Sequence, residues 1–356
     1  EEGLTLGDVL PRLTASLPAG EAARAGRLAT EALRWANRSD RILGPHIRMK
    51  PEDPVMHALR VAIYELYAEG AAAHGVVNAA VSLVTRSKAG LVNGVLRNVL
   101  RREIDWNALP VPQTPKWLRK RLIAAWGKAA VEAMEQVHAE RPPIDITCRK
   151  DADVWAKRLG ASVCPGGTVR LPVGAQVSAL DGFAEGAWWV QDAGAAVAAR
   201  VLDAQPGERV LDLCAAPGGK TMQLAAVGAS VTALDISKAR MARVQENLTR
   251  TGLSADLVIA DALEWTPETP FDAVLLDAPC SATGTLRRHP DLGYARDGTG
   301  IEELLDLQSK LLDRASTFLR PGGRMVYCTC SLPVSYTHLT LPTIILPCRS
   351  RGWPCH

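Results

Sequence analysis

The chain has 356 residues, 47% hydrophobic and 22% charged, with a formal net charge of +3. These values exclude a disordered or fibrous polymer and fit a globular protein of two or three domains. No run of about 18 apolar residues predicts a membrane helix, and EEGLTLGDVL lacks the regions of a signal peptide. The chain opens on Glu and not Met, so it is expected to start inside a longer natural one. Its eight cysteines, at 148, 164, 214, 280, 328, 330, 348 and 355, form no CxxC pair. That argues against a zinc site or disulfide framework and for a reducing, cytoplasmic setting.

Residues 1–141 read as helices, with apolar positions at helical spacing in GEAARAGRLATEALRWANR, DPVMHALRVAIYELYAEG and HGVVNAAVSLVTRSKAGLVNGVLRNVLRRE. Asp53 before Pro54 is a candidate N-cap. PKWLRKRLIAAWGKAAVEAMEQVHAE predicts a further amphipathic helix carrying Lys116, Arg119, Lys120 and Arg121. Residues 1–143 hold 20 Lys+Arg against 15 Asp+Glu, and the remainder 21 against 23. A basic front half suits a polyanion partner, although solvated helix faces give the same balance.

Residues 142–186 change to short β-prone pieces around a Pro-Gly-Gly turn at 165–167, a small α+β connecting module. From 187 to 333, RVLDLC, SVTALDI, DLVIAD, DAVLLDA and RMVYCTC predict strands separated by helices. This is the pattern of a parallel, doubly covered, Rossmann-like sheet. The sequence after Ser331 loses both periodicities, so 334–356 reads as a non-native tail. Cys348, Cys355 and His356 are given no metal role.

The turn after the first strand of that sheet is Cys214-Ala215-Ala216-Pro217-Gly218-Gly219-Lys220. It is neither a P-loop nor a GxGxxG fingerprint. Its small residues allow close backbone approach, and the following helix offers free N–H groups to a carboxylate. Asp235 ends the second strand, where an acid can accept ribose hydroxyls, and Asp261 ends the third and could face an adenine amino group. Each acid could instead merely cap the next helix. Ribose and adenine contacts without a polyphosphate cradle point to S-adenosylmethionine over NAD or ATP.

Cys280, in a PCS turn, and Cys330, in a TCS turn, each follow a strand end at the expected crevice. A lone cysteine is usually a small buried hydrophobe, the reading given to Cys148, Cys164, Cys214 and Cys328. Cytosine C5 is too weak a nucleophile to accept a methyl group unaided, whereas a thiolate added at C6 makes it reactive. Asp277, Cys280 and Cys330 can supply the nucleophile, an acid near N3 and help with elimination.

These motifs resemble the Sun/Fmu-type (RsmB-like) bacterial 16S ribosomal RNA cytosine-5 methyltransferases. VQDAGA at 190–195, LDLCAAPGGKT at 211–221, DAPCSATGTLRRHPD at 277–291 and YCTCS at 327–331 stand in that family's order. VVNAAV at 76–81 and GLVNGVLRNVLR at 90–101 resemble its N-terminal NusB-like RNA-binding domain. The resemblance implies that Cys330 is the nucleophile and that Cys280 assists release. It also implies that Cys214 through Lys220, Asp235, Asp261 and Asp277 contact S-adenosylmethionine, and that Arg287, Arg288 and His289 meet RNA. The implied partner is small-subunit ribosomal RNA, with no metal or membrane and a monomeric enzyme. A transfer RNA methylase and a non-catalytic RNA-binding or assembly factor are the competing expectations. Two departures stand out: Ala282 replaces the family's Gly after PCS, and the tail replaces its closing helix and strand pair.

Overall fold

A computed structural model describes residues 4–332. The tail assigned to 334–356, with Cys348, Cys355 and His356, lies outside the described residues. The described residues divide into two compact units, one of residues 4–142 with 282–299 and the other of 143–281 with 300–332.

The first unit is helical: α1 (Leu6–Leu13), α2 (Ala19–Arg34), α3 (Ala36–Leu43), α4 (Asp53–Tyr67), α5 (Ala73–Ser82), α6 (Arg86–Leu100), α7 (Lys116–Trp126) and α8 (Lys128–Ala139). On α4 the buried residues Val55, Met56, Leu59, Ala62 and Ile63 fall on one stripe, as do Val92, Val95, Leu96 and Val99 on α6. Together they form the unit's core, in which each fully buried Leu or Ile contributes about 2 kcal/mol. Trp106 completes it against Trp35 and Tyr64, with the Arg38 guanidinium 4.4 Å from the Trp35 ring centre.

Three local expectations are corrected. The helical pattern over 74–103 breaks at Leu83–Thr85, where extended Thr85 starts a new helix. The helix over 115–140 breaks at Gly127, whose φ of +78° no continuing helix can adopt. Glu52, not Asp53, is the N-cap of α4; Asp53 lies inside the helix and pairs with Lys50 at 3.2 Å. Of the basic residues on α7, Arg119 is committed to Glu135 at 2.8 Å, whereas Lys116, Lys120 and Arg121 are exposed.

In the second unit, β1 (Asp145–Cys148), β2 (Ser162–Val163), β3 (Val169–Arg170) and β4 (Trp188–Val190) form an antiparallel sheet in the order β2-β3-β1-β4. Between β1 and β2 lies α9 (Ala152–Arg158), and α10 (Ala193–Leu202) follows β4. Asp145, 1% exposed, takes a two-pronged ion pair from Arg170 and a bond from the Ala193 N–H, tying this sheet to α10.

The larger sheet contains β5 (Arg209–Leu213), β6 (Ser230–Asp235), β7 (Asp256–Ile259), β8 (Phe271–Asp277) and β9 (Leu319–Cys328). All neighbours are parallel, in the order β7-β6-β5-β8-β9. α11 (Gly219–Ala226), α12 (Lys238–Thr251) and α14 (Ile301–Ser316) connect them; α13 (Leu292–Ala295) belongs to the helical unit. The strand order reverses between β5 and β8, where such sheets open their ligand crevice. No helix among the described residues is long and apolar enough to cross a membrane.

Candidate active site

The crevice is built where β5, β6, β8 and β9 end. The turn after β5 is pinned from several sides. The Ala215 N–H donates to the Leu234 carbonyl at 3.1 Å and the Ala216 N–H to Asp235 Oδ2 at 3.2 Å. Arg240 Nη2 donates to the Ala216 carbonyl at 2.6 Å, and Asn247 Nδ2 to that of Pro217 at 3.2 Å. Cys214 adopts φ +60°, a left-handed conformation that non-glycine residues hold mainly where surrounding structure enforces it.

Asp235 is 2% exposed and works first as a brace for this turn: besides Ala216 it accepts from the Ser237 N–H at 2.9 Å. A carboxylate has about four lone-pair positions, so these bonds leave capacity for a ribose hydroxyl. Asp261 lies two residues past the end of β7, is exposed and accepts from the Leu263 N–H at 2.9 Å within a turn; no helix separates β7 from β8, so it caps none. No described hydrogen bond joins it to the turn after β5. Lys220, at the start of α11, reaches across to Asp277 at the end of β8, Nζ to Oδ2 2.7 Å.

The two motif cysteines meet. Cys280 Sγ and Cys330 Sγ are 3.4 Å apart, and beside them the Ser281 and Ser331 hydroxyls are bonded at 2.9 Å. Cys330 is exposed on the segment following β9, so it is not packed into the interior. Contact with Cys280, then burial, raises its thiol pKa above the ordinary value.

Four contributors were not read from the sequence. Asp212 lies mid-strand in β5, 1% exposed, where burial pushes its carboxyl up to about 7. Thr221 Oγ1 donates to its Oδ2 at 2.6 Å, while Oδ1 has no partner. An acid inside the apolar run of β5 was the available signal. Cys328, read as a small hydrophobe, directs its thiol to Asp277 Oδ1 at 3.5 Å, and burial and Asp277 push it up to about 12. Gln308 on α14 is fully buried; it donates to the Pro279 carbonyl at 2.7 Å and accepts from the Tyr327 hydroxyl at 2.9 Å. Tyr327 and Gln308 thereby fix the backbone beside Cys280 to the end of β9. Gln308 gave no signal, because a polar residue on an amphipathic helix ordinarily faces water.

The donor set fits a nucleoside carrying a sulfonium amino acid. The turn offers backbone at close range without a phosphate cradle, Asp235 lies directly under it, and Asp212 Oδ1 is a buried acceptor still to be met.

The helical unit contains the segment 282–299. Arg287 pairs with Glu140 at 3.0 Å and donates to the Arg141 carbonyl at 3.1 Å, and His289 is exposed. Arg287 is thus held within the helical unit, whereas His289 faces solvent.

A family model described as 16S rRNA methyltransferase RsmB/F matches residues 199–345, and a NusB family model matches 1–101. The Ribosomal RNA small subunit methyltransferase B of Cronobacter sakazakii is 36% identical over 360 residues, covering 93% of this chain and 83% of that protein. Among solved structures, PH0851 superposes with a TM-score of 0.71 at 24% identity, covering 91% of this chain and 81% of that one. NSun6 from Pyrococcus horikoshii, solved with SFG, gives 0.56 at 21% identity, covering 62% and 84%. These two similarities are of fold.

Proposed function

Because the chain belongs to the RsmB/F family of 16S rRNA methyltransferases, we propose that it methylates cytosine C5 in 16S ribosomal RNA through a transient bond from Cys330 to C6. The enzyme is an S-adenosylmethionine-dependent methyltransferase. When bound, the cofactor supplies an electrophilic methyl group; residues Cys214–Lys220, Asp235 and Asp261 would hold it. The observation that carries the reading is the pair of thiols 3.4 Å apart at the carboxyl ends of β8 and β9.

Cys330 Sγ adds to C6 as a thiolate, and the electrons displaced toward N3 leave an enamine with a nucleophilic C5. Asp277, with Lys220 Nζ at 2.7 Å as its proton source, protonates N3. After methylation Cys280, as a thiolate, takes the C5 proton, the C5–C6 double bond re-forms as Cys330 leaves as a thiolate, and N3 returns its proton to Asp277. Cys280 assists this elimination from its position against Cys330. A base within a helix must leave the stack before Sγ can reach C6. The exposed Lys116, Lys120 and Arg121 supply phosphate contacts.

The test is incubation with methyl-tritiated cofactor and small-subunit ribosomal RNA, followed by nucleoside analysis and bisulfite sequencing. Label in 5-methylcytidine at one position is expected. Label in another nucleoside, or only in transfer RNA, overturns the proposal.

A pH dependence follows from the raised Cys330 thiol. Only the thiolate attacks, and below the pKa its fraction grows about tenfold per pH unit. Single-turnover methyl transfer should therefore climb with a logarithmic slope near one between about pH 6.5 and 9. A flat profile would show that the thiol is already ionised at neutrality.

A further inference from the structure

The Pro-Gly-Gly turn has no part in methyl transfer, yet with β1, α10 and α11 it walls a cavity of about 420 Å³ in the second unit. The walls are mixed: Ala226 and Val227 supply apolar surface backed by the buried Trp189 and Leu224, and Thr147 and Arg200 supply polar groups.

Two of those polar groups have unmet bonding capacity. Thr147, on β1, is 7% exposed and its Oγ1 has no hydrogen-bond partner. Arg200, near the end of α10, donates through Nη2 to Thr168 Oγ1 at 2.7 Å, but its buried Nη1 donates to nothing. Glycine at 166 lets the turn lie against this group, since a Cβ there would sit 2.7 Å from Nη1. Its φ of +87° also favours glycine.

Among the described residues Arg200 makes no ion pair, and burial lowers its pKa. Asp203, exposed, lines the rim of the same cavity, and its carbonyl accepts from Arg324 and Gln205. Exposed Arg149 adds a second positive charge to the lining, anchored through Nη1 to the Thr251 carbonyl at 2.9 Å. A buried Nη1 on a partly exposed guanidinium, beside an unsatisfied hydroxyl, leaves bonding capacity that an anion would satisfy at both groups. The volume lies in the range of small-molecule sites, well above that of a single water.

We propose that this cavity is a second ligand site, separate from the methyl-transfer crevice. It takes a small organic anion whose carboxylate or phosphate monoester meets Arg200 Nη1 and Thr147 Oγ1 while its apolar body lies against Ala226 and Val227.

Titration calorimetry on the full chain, saturated with S-adenosylmethionine, would use benzoate and phenyl phosphate as separate probes. At least one should bind with a Kd of about 1 mM or tighter, and the tighter one identifies the head group. Arg200→Gln should weaken it at least about tenfold and the near-isosteric Thr147→Val about threefold. Cofactor affinity should stay unchanged in both variants. Absence of binding by either probe, binding indifferent to both substitutions, or displacement of the probe by the cofactor would overturn the site.

Discussion

Replacing Cys330 with alanine is expected to cut methyl transfer at least about 1,000-fold while cofactor affinity stays within about twofold of wild type. Cys330 is exposed, and its one described hydrogen bond is to Cys280, so the fold loses little when Sγ goes. The cofactor turn is braced by Asp235, Arg240 and Asn247, none of which depends on that sulfur. The paired variant separates the two thiols. Cys280→Ala leaves Cys330 free to add to C6 but removes help with elimination, so RNA-bound protein should persist on denaturing gels. The same variant removes the foremost cause of the raised Cys330 pKa, which favours adduct formation at neutral pH. If Cys330→Ala kept full turnover, or if the trapped adduct formed in Cys330→Ala and not in Cys280→Ala, the roles would be exchanged or absent.

The five strands of the larger sheet were legible because each carries an apolar run between turn residues, and the central β5 and β8 are buried along most of their length. The start of β9 escaped detection because Leu319 and Arg320 precede Pro321-Gly322-Gly323, which locally reads as a turn. Helix ends were less visible than helices. The apolar stripe runs straight across Gly127, and only the positive φ there separates α7 from α8. Ala282, where the family has glycine, adopts φ +55°, where a Cβ costs about 1 kcal/mol. The polar supports of the site were hidden for a different reason. Asp212, Gln308 and Cys328 take their roles from partners 9, 29 and 51 residues away, and no local period encodes such distances.

The assignment of residues 282–299 to the helical unit was likewise beyond local pattern, and it carries the other large expected effect. Arg34 on α2 is 5% exposed, and its Nη1 donates at 2.7 Å both to the His138 carbonyl and to the Arg287 carbonyl. Its Nε lies 3.3 Å from buried Glu31, which has a second partner in Arg141 at 3.7 Å. Around it the Tyr294 hydroxyl donates to the Leu33 carbonyl, and the Leu6 N–H to Asp291 Oδ2. Arg34→Met keeps the aliphatic stem but leaves two carbonyls without their donor and Glu31 with its more distant cation alone. The cost should be about 2–4 kcal/mol, or roughly 5–10 °C in the Tm of the helical unit. Amide exchange across 285–295 should quicken more than exchange in the α4–α6 core. The chain enters this segment at Ala282, two residues beyond Cys280, so methyl transfer should fall as the segment loosens while cofactor affinity holds. A Tm within about 2 °C of wild type would mean that water replaces the guanidinium at little cost, and Arg34 would then not be what secures the segment.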